Sequence, residues 1–142
     1  MNNYLTNYLI HNKRILLLFV FCVLSRICTS IFYIEDIDSL RFALSAIYFD
    51  ITDSRPHFPG YPIFCFLLQK IYFLIKNIGL TFSIIGGFSI FTIIIFIKKI
   101  IFELKVPNTI YTTLLIAINP LLWLMSNRYM PDLMGLALLT IS

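Results

Sequence analysis

The sequence predicts an all-α integral membrane protein, a multi-spanning helical bundle whose extracytoplasmic first loop carries an amphipathic helix and a re-entrant or interfacial helix. Three observations predict it. Of the 142 residues, 59% are hydrophobic and only 13% charged, against about half apolar and a quarter charged in soluble domains. Several apolar runs approach the ~20 residues that cross a bilayer. Among the 7 acids, Glu35, Asp36, Asp38, Asp50 and Asp53 crowd into one stretch, Ile34 to Phe64, which reads IEDIDSLRFALSAIYFDITDSRPHFPGYPIF. Residues 1–142 are read as a single membrane domain.

The net charge of +4 does not point to nucleic acid. Basic residues stand in short groups beside apolar runs, the topogenic pattern in which cytoplasmic flanks are enriched in Lys and Arg. Cys22, Cys28 and Cys65 have no metal-type spacing and sit in apolar runs, so they read as inert buried thiols.

Residues 1–14 are polar and end in Lys13 and Arg14. The apolar run Ile15 to Ile34 is then the first span, with its N-terminus in the cytoplasm and no cleavage site of the signal-peptide kind. Arg26 is expensive in hydrocarbon. It must face a protein interior, a water-filled cavity or a headgroup, either snorkelling to the far interface or holding a lipid phosphate.

From Asp36 to Phe49, Ile37, Leu40, Ala43, Leu44, Ile47 and Tyr48 recur at helical spacing, with Asp38, Ser39 and Arg41 off that stripe. This is an amphipathic helix at the membrane surface. Asp50 to Pro59 carries turn chemistry, and Gly60 with Pro62 keeps the chain irregular.

Tyr61 to Lys76 is apolar but short. If it crossed the membrane, the clear span Ile78 to Ile97 would leave Lys98, Lys99 and Lys105 outside, against the positive-inside tendency. A re-entrant or interfacial helix at 61–76 instead brings those lysines to the side of Lys13 and Arg14. Gly79, Gly86 and Gly87 in the 78–97 span suit close helix contact. Residues 109–125 form the third span, kinked at Asn119 and Pro120, and 133–142 begin a fourth that stops short. The expectation is therefore the N-terminal part of a longer membrane domain.

This topology collects Glu35, Asp36, Asp38, His57, Arg128 and Asp132 on one side. Such groups can deprotonate an acceptor or bind a cation, or simply form a solvated loop. Neighbouring acids on a helix point apart, which argues against a metal cluster. His57 has no second histidine nearby, His11 lying towards the opposite end, and reads as a loop residue shaped by its prolines.

The order of an N-terminal span, DSLRFAL at Asp38 to Leu44, FD at Phe49–Asp50 and RPHFPGYPIF resembles the first extracytoplasmic loop of GT-C fold glycosyltransferases. The likeness is to bacterial relatives of the protein O-mannosyltransferases and aminoarabinose transferases, which use polyprenyl-phosphate sugars. In that family an Asp of a D-E-x-x-Y-A motif is thought to be the catalytic base. Asp38 matches it, Ser39 replaces the second acid, and Phe42–Ala43 match the aromatic-Ala pair, with Asp36 as the rival base.

The family's His-Pro-Pro segment corresponds to His57, Phe58 and Pro59, Phe58 replacing the first proline. INPLLWLMSNRYMPDLMGL resembles the third span and the loop after it, where Arg128 and Asp132 stand.

The resemblance implies sugar transfer from a polyprenyl-phosphate donor to an acceptor hydroxyl in the bacterial cytoplasmic membrane. The partners would be the lipid-linked sugar and membrane lipid. Asp38 or Asp36 would be the base, with Arg55, His57, Arg128 and Asp132 available to bind donor phosphate or substrate. No cofactor is implied, and the lost acid weakens any role for a divalent metal. The alternative is a small non-enzymatic membrane protein, an assembly factor or carrier piece, with merely solvated carboxylates.

Overall fold

The computed structural model describes residues 2–142, with side chains described from Lys13 onward except at position 109; the side chain of His11 lies outside them. Among the described residues seven α-helices follow one another: α1 (Asn2–Cys28), α2 (Ile37–Ile47), α3 (Pro62–Ile75), α4 (Ile78–Glu103), α5 (Thr109–Ala117), α6 (Pro120–Met125) and α7 (Asp132–Ile141). Among the described residues there is no strand, only an isolated antiparallel bridge between Asp50 and Arg55. The all-α class is as expected. One described helix, α4, is long and apolar enough to cross a membrane.

At 26 residues, α4 is about 39 Å long at 1.5 Å per residue, and the other elements pack around it. Asn77 caps its start by accepting from the Leu80 N–H at 3.0 Å, and the helix continues past the expected end at Ile97 through the lysines to Glu103.

α1 lies antiparallel to α4. Arg14 and Lys98 line one cleft, the Phe19 ring stands 5.1 Å from Phe88 and 5.2 Å from Phe91, and Gly87 passes under Val23. Glycine permits this approach, because a Cβ on Gly87 would lie 2.8 Å from the Val23 Cα and one on Gly86 1.7 Å from the Ser126 carbonyl oxygen. Of the close helix contacts expected of Gly79, Gly86 and Gly87, that of Gly87 with α1 is present, whereas Gly79 lies against Ile31 and Gly86 against Ser126, both outside the helices.

Three expected boundaries need correction. The first helix ends at Cys28 rather than Ile34. Its final carbonyls are taken by hydroxyls, Thr29 Oγ1 donating to Ser25 at 2.8 Å and Ser30 Oγ to Ile27 at 2.8 Å, a competition that favours termination. The helix expected over 36–49 occupies Ile37–Ile47, because Asp36 is its N-cap. The kinked helix expected over 109–125 is instead two helices. Pro120 lacks the N–H needed to continue α5, and Asn119 caps α6 by accepting from Leu121 at 2.9 Å.

α2 is apolar on two faces. Phe42, Ala43 and Ala46 are buried with Phe64, Cys65, Leu68, Phe82, Ile85 and Tyr129 in one core cluster. The row Ile37, Leu40 and Ile47 faces outward, 68%, 42% and 57% exposed. The sequence stripe located this outer row and missed most of the inner one.

Only Lys76 and Asn77 separate α3 from α4, and the Phe64 ring of α3 stands 6.0 Å from the Phe82 ring of α4. A second core cluster, built on Cys22, Ile90, Ile93, Ile94, Leu133 and Ala137, joins α1, α4 and α7.

Candidate functional site

The chemistry-bearing residues gather at the end of the molecule where α1 stops. Four consecutive residues of the loop after α6 grip the segment 26–36. Ser126 Oγ accepts from Arg26 at 3.0 Å, and Asn127 Nδ2 donates to the Thr29 carbonyl at 2.6 Å and to its hydroxyl at 2.8 Å. Arg128 donates to Glu35 Oε2 at 2.7 Å and Asp36 Oδ2 at 2.8 Å. The Tyr129 hydroxyl donates to the Ile31 carbonyl at 2.7 Å, while its ring stacks on Phe82 at 4.5 Å. This loop satisfies backbone groups released where α1 ends, so the segment stays ordered without helix.

Asp36 is fully engaged. Its Oδ1 accepts from the Ser39 backbone N–H at 2.7 Å, capping α2, and its Oδ2 holds Arg128. The Ser39 N–H, with Arg128 adding its charge, keeps its carboxyl below the usual carboxylate range. Arg128 is correspondingly raised, first by its hydrogen bond to Glu35 and then by the charges of Glu35, Asp36 and Asp132. A carboxylate stabilised as an anion is a weaker proton acceptor.

Asp38, two residues on, is less committed. Its side chain is about half exposed, with Arg41 Nη1 at 3.2 Å and His57 Nδ1 at 3.6 Å. That last distance is too long for a hydrogen bond, and Nδ1 is shielded from solvent without a hydrogen-bond partner. The His57 ring is held edge-on by Phe42 at 5.6 Å and Tyr61 at 5.9 Å. His57 is thus more than a proline-shaped loop residue: it faces the carboxylate at the start of α2.

The turn before it explains how His57 arrives there. Asp50 and Arg55 exchange backbone hydrogen bonds of 2.9 and 2.8 Å, Thr52 donates its hydroxyl to Asp50 Oδ1 at 2.6 Å, and Pro56 is fully buried. The Thr52 hydroxyl bond keeps the Asp50 carboxyl low.

Beyond Tyr61 opens a cleft of about 530 Å³ between the start of α3 and α7, lined mainly by apolar residues with Asp132 at its polar end. Asp38, His57, Tyr61 and this cleft therefore follow one another in space.

The other expected site residues are placed differently. Arg55 pairs with Asp53 at 2.9 Å, away from the Glu35–Asp36–Arg128 group. Asp132 opens α7 and contributes charge at Arg128. Among the described residues no group of three or more His, Cys, Asp or Glu stands close enough to hold a metal ion.

Arg26 does not snorkel. It is 5% exposed, donates to the Trp123 carbonyl at 2.8 Å and stacks its guanidinium 3.7 Å over the Trp123 ring.

Sequence reasoning missed Glu35 as the strongest partner of Arg128, Arg41 as a partner of Asp38, and Asn127 and Tyr129 as clamps. Arg41 was findable, lying three positions after Asp38 on one helix face. Nothing local signals the others, whose partners lie more than ninety residues away. Searched against family models, curated proteins and solved structures, the chain matches none.

Proposed function

We propose that this chain is part of a multi-spanning membrane glycosyltransferase that moves a sugar from a polyprenyl-phosphate donor to an acceptor hydroxyl on the extracytoplasmic face. The observation that carries the reading is the half-exposed Asp38 carboxylate facing His57, with Tyr61 leading from that pair into an apolar cleft of about 530 Å³. A base connected through His57 and Tyr61 to an apolar cleft suits a lipid-linked donor and a polar acceptor.

In this reading Asp38 takes the proton of the acceptor hydroxyl. The acceptor oxygen bonds to C1 of the sugar as the C1–O bond to phosphate breaks, and the polyprenyl phosphate leaves with the bonding electron pair. The charge developing on the leaving phosphate needs a cation. Arg128, Arg55 and Arg41 each pair with a carboxylate, and of the three Arg41 stands at the proposed base. Asp36 recedes as the rival base because its carboxylate is spent on capping α2 and binding Arg128.

The membrane orientation rests on the same geometry. Arg14 and Lys98 share one end of the α1–α4 pair, and the acidic loops share the other. A 14-residue α3 with exposed Phe66, Phe73 and Leu74 suits a helix lying in the interface or re-entering it.

The experiment is sugar transfer from a polyprenyl-phosphate donor by the full-length protein and its Asp38→Asn and Asp36→Asn variants. Loss in the first and retention in the second supports the reading; turnover unchanged by Asp38→Asn ends it.

A further inference from the structure

Arg26 is a buried cation without a buried anion. Its described contacts are the Trp123 carbonyl and ring and the Ser126 hydroxyl, none of them charged, and among the described residues no carboxylate lies within ion-pairing distance. Its Nε is enclosed and has no hydrogen-bond partner. Taking a guanidinium out of water is costly unless a counter-charge and hydrogen bonds replace hydration. Neutral partners supply only part of that.

A second polar atom nearby is also unsatisfied, and it has the opposite need. Asn127 is 7% exposed, and both bonds to Thr29 use its Nδ2, leaving Oδ1 buried with no donor. Arg26 and Asn127 line the same cavity, of about 540 Å³, between the end of α1 and α6. Glu35 and Arg128 reach this cavity too, but they are joined to each other. An occupant that satisfies the remaining atoms must therefore bring a negative oxygen for Arg26 and an O–H or N–H for Asn127.

We propose that this cavity binds a phosphate group that also carries a hydrogen-bond donor, the headgroup of a phosphatidylglycerol or phosphatidylethanolamine molecule from the surrounding bilayer. Tyr33 and Trp123 also line the cavity, and such amphipathic rings sit at headgroup level in membrane proteins. The apolar walls, Leu121, Leu124 and Met125, are suited to the first carbons of an acyl chain. The site rests on the membrane reading and is independent of glycosyl transfer.

The test compares lipid retention by the full chain, released from nanodiscs of phosphatidylcholine, phosphatidylglycerol or phosphatidylethanolamine and read by native mass spectrometry. Phosphatidylcholine has the phosphate but no donor. The expected result is one phosphatidylglycerol or phosphatidylethanolamine per chain, retained at least tenfold over phosphatidylcholine. Arg26→Gln loses it, and Lys98→Gln, at the opposite end, keeps it.

A parallel arm heats lipid-free protein with inorganic phosphate. Protection of the wild type but not of Arg26→Gln assigns the same site to free phosphate. Equal retention of all three lipids by the wild type overturns the proposal even if Arg26→Gln fails to fold, as does equal retention by that variant. A labelling pattern that contradicts the membrane orientation would instead remove the reading beneath it.

Discussion

Arg128 and Asp36 are 92 positions apart in the chain and meet at 2.8 Å, and this contact separates two acids that the sequence presents as equals. Asp36 becomes a structural carboxylate. Asp38 keeps a half-exposed side chain facing a histidine. The contact also joins the loop after α6 to the start of α2, so the clamp on the end of α1 and the placement of the proposed base are one arrangement.

The clamp can be tested one bond at a time. Tyr129→Phe removes the hydroxyl that satisfies the Ile31 carbonyl and keeps the ring stacked on Phe82, so it should cost about 1 kcal/mol of stability. Arg128→Gln breaks partly exposed pairs and should cost about 1 kcal/mol or less. Unfolding in detergent by denaturant or heat reads both, and the two losses should be less than additive when combined, because both bonds hold one loop.

Acid should weaken the same end. The Asp36 carboxyl lies below its ordinary value when folded, so across that gap the unfolded chain binds the extra proton. Its contribution is therefore complete above the ordinary carboxylate value of about 4, and it is lost as pH falls through the lower folded-state value. The unfolding midpoint, followed from neutral pH downward, should fall through this range in the wild type and fall less steeply in Asp36→Asn. Asparagine still caps the helix, so the variant isolates the charge.

Close packing at α4 gives a sharper contrast. Gly86→Ala would drive a Cβ to within 1.7 Å of the Ser126 carbonyl, and overpacking of this kind costs about 1–3 kcal/mol or more. At Gly135 a Cβ meets nothing within 4 Å, and Gly135→Ala should be neutral or stabilising by roughly 0.5–1 kcal/mol through helix propensity. The unfolding midpoint should fall in Gly86→Ala and stay level or rise in Gly135→Ala.

Orientation has its own assay. With Cys28 replaced by serine, a cysteine introduced at Ser54 should react with an impermeant thiol reagent from outside intact cells, and one at Asn108 should not. Labelling of Asn108 from outside would reverse the sides assigned to the lysines and the acids.

Much of this architecture is legible in the sequence because its signals are local. The apolar runs, the prolines at 56 and 59 and the glycines of α4 each mark an element or a contact by residue type alone. What was hidden is long-range. Residues 29–34 read as continued span because the run stays apolar up to Glu35, yet α1 stops at Cys28 because the loop 126–129 supplies the partners its backbone would otherwise find in another helical turn. Arg26 shows the same limit: its neighbours in sequence suggest a helix end near an interface, and only the fold brings Trp123 and Ser126 onto it.

The central claim is that Asp38 is the proton acceptor of a sugar transfer, and the most direct measurement is the turnover of the full-length protein carrying Asp38→Asn with a polyprenyl-phosphate sugar donor. A positioned general base contributes about 10²–10⁴-fold, so the rate should fall at least a hundredfold with the unfolding midpoint little changed. Undiminished turnover by that variant would contradict the account.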